Sequence, residues 1–401
     1  MSATTSDRMR ARLTRDRPTW LIYLQLATFA TYLYGVSAAL PLLRLDQGVS
    51  QAVAGLHGTA MAVGGIVSGI AIPWLTATIG RRRTTWLGLL MTACGIAALA
   101  LATPVPLTLL AVTVASSGGS LTLYVGMSVL SDHHGTTSAA VINEANAVGV
   151  TVGIGMSYLI SVLAGGSIGW RAGILVTPVA TFLLLALMGR VWVPSLPPAA
   201  VAPVPGVPEP ATMAKVPFGR RFHVACGVLS CLVATEFLFN LWAAKLVADQ
   251  TGMTAAAAAT GLTAFTAGIA AGRFAGGRLA LRADPTLLLA CALVVTLAGW
   301  TAFWLSTQPV FSYAGLVLSG LGVAMQFPLG FARVIAASGG RPDQASAAAS
   351  IWAGVAVGVG PFALGALADG FGTRTAFLMV PLLIAFALTG IALTGRSPAS
   401  G

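Results

Sequence analysis

The sequence predicts an all-α integral membrane protein, with twelve transmembrane helices in two six-helix bundles related by pseudo-symmetry. Three observations support this fold class. Of 401 residues, 56% are hydrophobic and only 8% are charged, with a mean hydropathy of +0.86, whereas a soluble domain is about a quarter charged. Long apolar runs recur along the chain, and lysine and arginine gather in alternate gaps between these runs.

The distribution of basic residues predicts the topology. Of 22 lysine and arginine residues, 17 fall on one side of the membrane, 4 on the other and 1, Arg273, within a span. Because basic residues near span ends resist translocation, we expect a multi-pass protein of the plasma (inner) membrane with both termini in the cytoplasm. The net charge of +11 is then a sign of topology, and no nucleic-acid partner is expected.

The apolar runs are long enough to serve as spans, since about 20 residues cross the hydrocarbon core. The predicted spans, numbered one to twelve, are 20–43, 51–79, 84–103, 106–131, 138–165, 171–193, 219–248, 255–282, 285–307, 309–337, 343–369 and 374–395. The first run has about 24 residues, which is too long for the core of a signal peptide. We therefore interpret it as a retained helix.

The chain divides after span six. Residues 194–217 are rich in proline, which predicts a semi-rigid, non-helical linker. The predicted domains are an N-terminal six-helix bundle with a basic cytoplasmic tail (1–193), the cytoplasmic linker (194–217) and a C-terminal six-helix bundle (218–401).

The two halves repeat short motifs. Gly169-Trp170-Arg171 opens span six and Gly372-Thr373-Arg374 opens span twelve, at an offset of 203. The loops after spans two and eight are both basic, at an offset of about 204. A shared offset indicates a duplicated six-span unit.

These loops resemble those of the major facilitator superfamily, whose loop between spans two and three reads G-x-L-x-D-R-x-G-R-R. The matching positions are Leu75, Gly80, Arg81 and Arg82 in PWLTATIGRRR, and Gly277, Leu279 and Arg282 in GRLALRAD. Both copies lack the Asp, which falls on Ala77 and Leu281. In the family this Asp helps to hold the inward gate shut, so the sequence leaves open how this gate closes.

The resemblance implies the major facilitator (MFS) fold, with a central cavity lined by spans one, four, seven and ten, and no cofactor. Residues 113–120 lack the span-four Arg that many proton-coupled drug exporters of the family carry. No nucleotide-binding motif is present, which disfavours an ATP-driven pump.

Ionisable and polar residues at membrane depth are costly, and each is therefore a candidate functional residue. Glu236 lies mid-span in span seven, with Asn240 one turn further. The candidate proton- or substrate-binding residues are Glu236, Asn240, Tyr32, Tyr124 and Gln326. The structural alternative for Glu236 is a protonated, hydrogen-bonded side chain. For Tyr32, Tyr124 and Gln326 it is an interhelical hydrogen bond or a place in a lipid-facing girdle.

A second group of candidates belongs to a cytoplasmic gate. These residues are Glu144, Asn143, Asn146, Gly80, Arg81, Arg82, Arg282 and Arg333. Glu144 is expected either to close on Arg333 or Arg82 or to contact substrate. Arg273 is interpreted as reaching toward the inner interface, with binding of an anionic substrate as the alternative.

Asp132-His133-His134 follows span four. With no second set of ligands nearby in the sequence, we interpret it as an exposed polar turn and expect no metal site.

The sequence therefore predicts a monomeric secondary active transporter that works by alternating access in the lipid bilayer. We expect it to export drug-like compounds or metabolites in exchange for protons. An uncoupled facilitator and a proton-driven uptake permease remain alternatives. A membrane enzyme or sensor is a third, although no cluster of catalytic side chains and no signalling domain is visible.

Overall fold

The computed structural model describes residues 14–49, 51–164, 166–193, 217–253, 258 and 260–395. All elements of regular secondary structure in these ranges are helical. The predicted linker, apart from residue 217, and most of the basic N-terminal tail lie outside the described residues.

The helices follow the predicted spans closely. Spans one to six comprise Arg17–Gln47, Gln51–Leu101, Val105–His134, Ser138–Ala164, Trp170–Ile174 and Val176–Met188. Spans seven to twelve comprise Arg220–Thr251, Thr260–Ala280, Pro285–Leu305, Pro309–Val323, Gln326–Ala336, Pro342–Phe371, Thr373–Ala376 and Met379–Gly395. A single 3₁₀ turn, Gly135–Thr137, joins spans four and five.

The count of spans is consistent with twelve. Ten described helices are long and apolar enough to cross a membrane, with 53–101 counted as one. That helix holds spans two and three, which meet at Gly80, where φ is 79° and ψ is 158°. Thr260–Ala280, which is not among the ten, supplies span eight. The chain is thus a multi-pass helical membrane protein.

Glycines with positive φ mark equivalent places in the two halves. Gly169 (φ 80°, ψ 158°) begins span six and Gly372 (φ 80°, ψ 153°) begins span twelve. A left-handed φ is readily adopted only by glycine, which explains why each repeated motif begins with this residue. The matching backbone conformations agree with the predicted duplication.

The spans pack first within each half and then across the midline. Spans one and five, and three and four, are neighbours in the first half, while spans nine and ten, and eight and ten, are neighbours in the second. Across the midline, span two packs along span eleven and span five packs along span eight. We call the end of the bundle where Arg81, Asp132 and Asp343 meet the basic end.

Candidate functional site

A cavity of about 180 Å³ lies between the two halves. Spans one, two, four and five wall it on one side and spans seven, eight, ten and eleven on the other. Its polar lining residues are Tyr32, Tyr34, Ser116, Ser120, Tyr124, Asn146, Glu236, Arg273 and Ser350. A mainly apolar wall with a few convergent polar groups is typical of a site for a small organic molecule.

Glu236 and Arg273 are the charged residues in the cavity wall. Glu236 Oε1 lies 3.9 Å from Arg273 Nη2, too far for a hydrogen bond but close enough for electrostatic attraction. Arg273 Nε and Nη1 lie 3.4 Å from the carbonyl oxygens of Ala324 and Asn146. The interpretation of Arg273 as reaching to the interface is therefore wrong, because its side chain is buried and lines the cavity.

The other predicted binding residues divide into two groups. Tyr32 and Tyr124 line the cavity with Glu236. Asn240 and Gln326 are not among the lining residues. Gln326 is buried and its Nε2 donates to Thr296 Oγ1 at 2.7 Å, so the structure places this side chain against span nine.

An aromatic cluster closes the cavity toward the basic end. The ring of Tyr124 on span four contacts the rings of Phe327 and Phe331 on span ten, with centroids 6.3 and 5.8 Å apart. Ser128 lies one helical turn beyond Tyr124 and hydrogen-bonds Ser346 of span eleven. Both contacts join the two halves.

Two salt bridges lie one helical turn beyond the Ser128 contact, at the surface of the basic end. Arg81 Nε donates to Asp343 Oδ1 and Arg81 Nη1 to Asp132 Oδ2, each at 2.7 Å. Asp343 stands in the first turn of span eleven, so one of these bridges crosses between the halves. Asp343 was not among the predicted site residues, although an acidic residue at a helix N-terminus is a common structural signal.

Tyr124, Ser128 and Asp132 thus occupy successive turns on one face of span four, because residues four apart share a helix face. On span eleven, Asp343, Ser346 and Ser350 form the facing row, and Ser350 Oγ donates to Gly65 O of span two at 2.7 Å. We call three layers of contacts the closing seam. They are the aromatic contacts of Tyr124 with Phe327 and Phe331, the hydroxyl contact of Ser128 with Ser346, and the ionic contacts of Arg81 with Asp343 and Asp132.

Glu144 lies outside the closing seam. It accepts from Arg15 Nη2 at 2.6 Å and from Tyr23 Oη at 3.0 Å. The expectation that it closes on Arg333 or Arg82 is therefore wrong: its hydrogen-bond partners, Arg15 and Tyr23, belong to the first half.

The remaining gate candidates have separate placements. Asn143 Nδ2 donates to Arg273 O at 2.9 Å and so joins spans five and eight, while Asn146 lines the cavity. Arg82 donates to Gly189 O. Arg333 donates to Thr394 and to Ile391 O within the second half.

Gly80 and Arg282 complete this set. Gly80 forms the turn that presents Arg81 to its two carboxylates. Arg282 is exposed at the end of span eight.

The structure adds a partner to the His133-His134 pair. His133 Nε2 lies 2.8 Å from Asp16 Oδ2, and His134 Nε2 lies 2.8 Å from Thr19 Oγ1. One ligand atom from each of Asp16, His133 and His134 falls within 4.8 Å of the others. Asp16 was not among the predicted site residues, because it lies more than a hundred residues away in the sequence. Because each group already has a hydrogen-bond partner, the absence of a metal site remains our prediction.

Comparison with known proteins identifies the family. The model of the Major Facilitator Superfamily matches residues 21–243 and 224–401. The chain belongs to the Major Facilitator Superfamily. It is accordingly a membrane transporter of that superfamily and not an enzyme.

Individual relatives of this transporter are distant in sequence. A chloramphenicol resistance protein of Streptomyces lividans is 27% identical over 402 residues, covering 95% of this chain and 98% of that protein. The superfamily transporter FucP, solved in the outward conformation, is 18% identical with a TM-score of 0.79, covering 95% and 99% of the two chains. The human organic anion transporter MFSD10 (TETRAN) is 15% identical with a TM-score of 0.74, covering 95% and 100%.

Proposed function

We propose that this transporter exports a small, largely apolar organic molecule in exchange for protons, with residues 1–193 and 218–401 as two units that rock about the central cavity. The observation that carries the proposal is the pairing of Glu236 with Arg273, the two charged residues of a mainly apolar cavity between the halves. A carboxylate at this depth is costly unless it is paired or protonated, so it can serve as an exchangeable proton site.

Proton movement is coupled to substrate movement because a proton and Arg273 compete for the carboxylate of Glu236. Without a proton, its carboxylate attracts Arg273 across 3.9 Å and the pair holds spans seven and eight in one arrangement. Protonation removes the attraction, and Arg273 then becomes free to bind a polar group of the substrate. A ligand that binds the two arrangements unequally shifts their populations, which links substrate movement to proton movement.

The distant relative in Streptomyces lividans supports the choice of substrate class. Its name associates it with resistance to chloramphenicol, a small neutral aromatic compound. The cavity of this protein offers Tyr32 and Tyr124 for ring contacts and Glu236 and Arg273 for polar groups. We therefore propose export of compounds of this type, from a cytoplasm that faces the basic end.

The test is flux into proteoliposomes with an imposed pH gradient, using radiolabelled chloramphenicol as the first probe. We expect wild type to accumulate the label in the acidic lumen, against its own gradient, and Glu236→Gln to lose this response while retaining slow downhill exchange. Asp249→Asn is the matched control, since Asp249 is an exposed carboxylate paired with Lys245, outside the cavity lining. An equal response of wild type and Glu236→Gln to the gradient would exclude Glu236 from coupling.

An uncoupled facilitator is the second candidate, and the contact between Arg273 and Glu236 could favour it. If the attraction between Arg273 and Glu236 persists throughout the cycle, no group in the described cavity wall exchanges a proton. The same assay separates the candidates: an antiporter accumulates label on the acidic side, a proton-driven uptake permease on the alkaline side, and a facilitator on neither.

A further inference from the structure

Outside the central cavity, a second cavity of about 460 Å³ lies near the basic end, between spans three and six. We call it the lateral groove, and its wall includes Arg82, Arg83, Trp86, Leu87, Leu90 and Leu185. The proposed transport mechanism uses none of these residues. Arg82, a gate candidate from the sequence, donates through Nη2 to Gly189 O.

The groove changes from charged to apolar along one helix. Arg82 and Arg83 are exposed at the start of span three, directly after the turn at Gly80. Trp86 and Leu87 lie one turn further and Leu90 one turn beyond these, so the stripe follows a single face of the helix. From Arg82 to Leu90 the helix rises about 12 Å, and the polarity falls over that distance from two guanidinium groups to aliphatic side chains.

The groove also lies at the boundary between water and membrane. Arg82 and Arg83 begin a span, where basic residues lie at the level of the lipid headgroups. Leu185 of span six is exposed on the outer surface of the bundle, where the lipid chains run. A ligand in this groove would therefore place its charged group level with the arginines and its apolar part beside the leucines.

The polar groups of the groove favour an anion. Among the described residues that line it, two are arginines and none is acidic. A guanidinium group matches a phosphate oxygen pair with two parallel N–H donors.

We propose that the lateral groove is a binding site for one anionic phospholipid, with its phosphate on Arg82 and Arg83 and an acyl chain along Leu87, Leu90 and Leu185. Basic pockets between membrane helices bind anionic headgroups in this manner. Through Arg82 and Gly189 the lipid links span three to the end of span six. It also abuts the turn at Gly80 that carries Arg81 of the closing seam.

The test is native mass spectrometry of delipidated protein in detergent, with phosphatidylglycerol, phosphatidylcholine or inorganic phosphate added. We expect one phosphatidylglycerol to be retained and Arg83→Gln to weaken its binding about tenfold, as for the loss of one charge-assisted contact. Arg83→Lys should bind at a level between wild type and Arg83→Gln, because it keeps the charge but loses the two parallel N–H donors. Arg278→Gln is the matched control, since Arg278 is an exposed arginine at the end of span eight.

Three results would overturn the proposal. Equal retention of phosphatidylcholine would remove the role of charge. Full displacement by inorganic phosphate would show a site for the free anion and not for a lipid. An equal loss in Arg83→Gln and Arg278→Gln would show diffuse attraction to the whole basic surface. Each outcome is independent of the substrate and of proton coupling.

Discussion

Arg81, in the loop between spans two and three, forms salt bridges with two carboxylates. The family's loop Asp falls on Ala77 here, which carries no charge, and Asp343 and Asp132 supply carboxylates from spans eleven and four instead. Both bridges are partly exposed to water, with 26% of the Arg81 side chain accessible. Bridges of this kind contribute about 0–1 kcal/mol each. That is weak enough for the seam to open and close during a transport cycle.

Asp16 is the N-cap residue of span one. It caps the first helix by accepting from Thr19 N at 3.0 Å. Burial alone would raise the pKa of Asp16, but hydrogen bonds from Thr19 and His133 outweigh burial and lower the pKa below its ordinary value of 3.8. Asp16 therefore stabilises the folded protein above about pH 4, and this contribution disappears as pH falls through the lowered pKa.

We predict that Asp16→Ala destabilises the protein by about 1 kcal/mol at neutral pH, the usual value of a helix cap. The measurement is the melting temperature in detergent across pH, with Asp369→Ala as the control at an exposed acidic residue of span eleven. The difference between Asp16→Ala and wild type should persist at pH 7 and shrink below pH 4. A difference that stayed constant down to pH 2.5 would contradict the role of the ionised carboxylate.

The sequence predicted the depth of individual residues better than the direction in which they point. The position of Glu236 in the middle of span seven was enough to predict a carboxylate at the depth of the central cavity, because a mid-span residue is near the membrane centre. Arg273 and Gln326 were misplaced because depth along a helix does not determine which neighbour the side chain faces. Asp16 and Asp343 were missed because their partners are distant in sequence and only tertiary packing brings them together.

The closing seam depends on close contact between spans two and eleven. Gly69 lies against span eleven so tightly that a Cβ atom there would be 2.5 Å from Ile351 Cγ1 and 2.7 Å from Ala347 O. Small residues allow such approach between membrane helices. The glycine-rich sequence of span eleven predicted close packing, but could not identify span two as its partner.

Gly69→Ala should weaken the seam, because overpacking a tight contact costs about 1–3 kcal/mol. The measurement is the rate at which a water-soluble maleimide labels a cysteine introduced at Ser346, a fully buried seam residue, in a background without native cysteines. We expect labelling to be at least about fivefold faster in Gly69→Ala. Gly227→Ala is the matched control, since a Cβ at Gly227 has no neighbour within 4 Å. Equal labelling in both variants would show that the contact at Gly69 does not hold the seam closed.

The composition, the distribution of basic residues and the repeated motifs were enough to predict twelve spans in two related halves, and the resemblance of the loop motifs indicated the superfamily. These features reflect the membrane, which imposes span length and loop charge on any sequence. The conformation could not be predicted in this way, because the proposed rocking of the two halves requires two packings of similar free energy. The structure is the one in which the halves meet at the basic end through the closing seam.

The most direct test of this account is the distance between the halves at the basic end, measured by pulsed electron paramagnetic resonance. Spin labels would be placed at Thr78 of span two and Leu279 of span eight, both exposed, with the native cysteines replaced by alanine. We expect one short, narrow distance distribution in the unliganded wild type, and a second, longer population in Asp343→Asn but not in Asp369→Asn. A predominantly long distance in wild type, or a distribution unchanged by Asp343→Asn, would contradict closure by the Arg81–Asp343 seam.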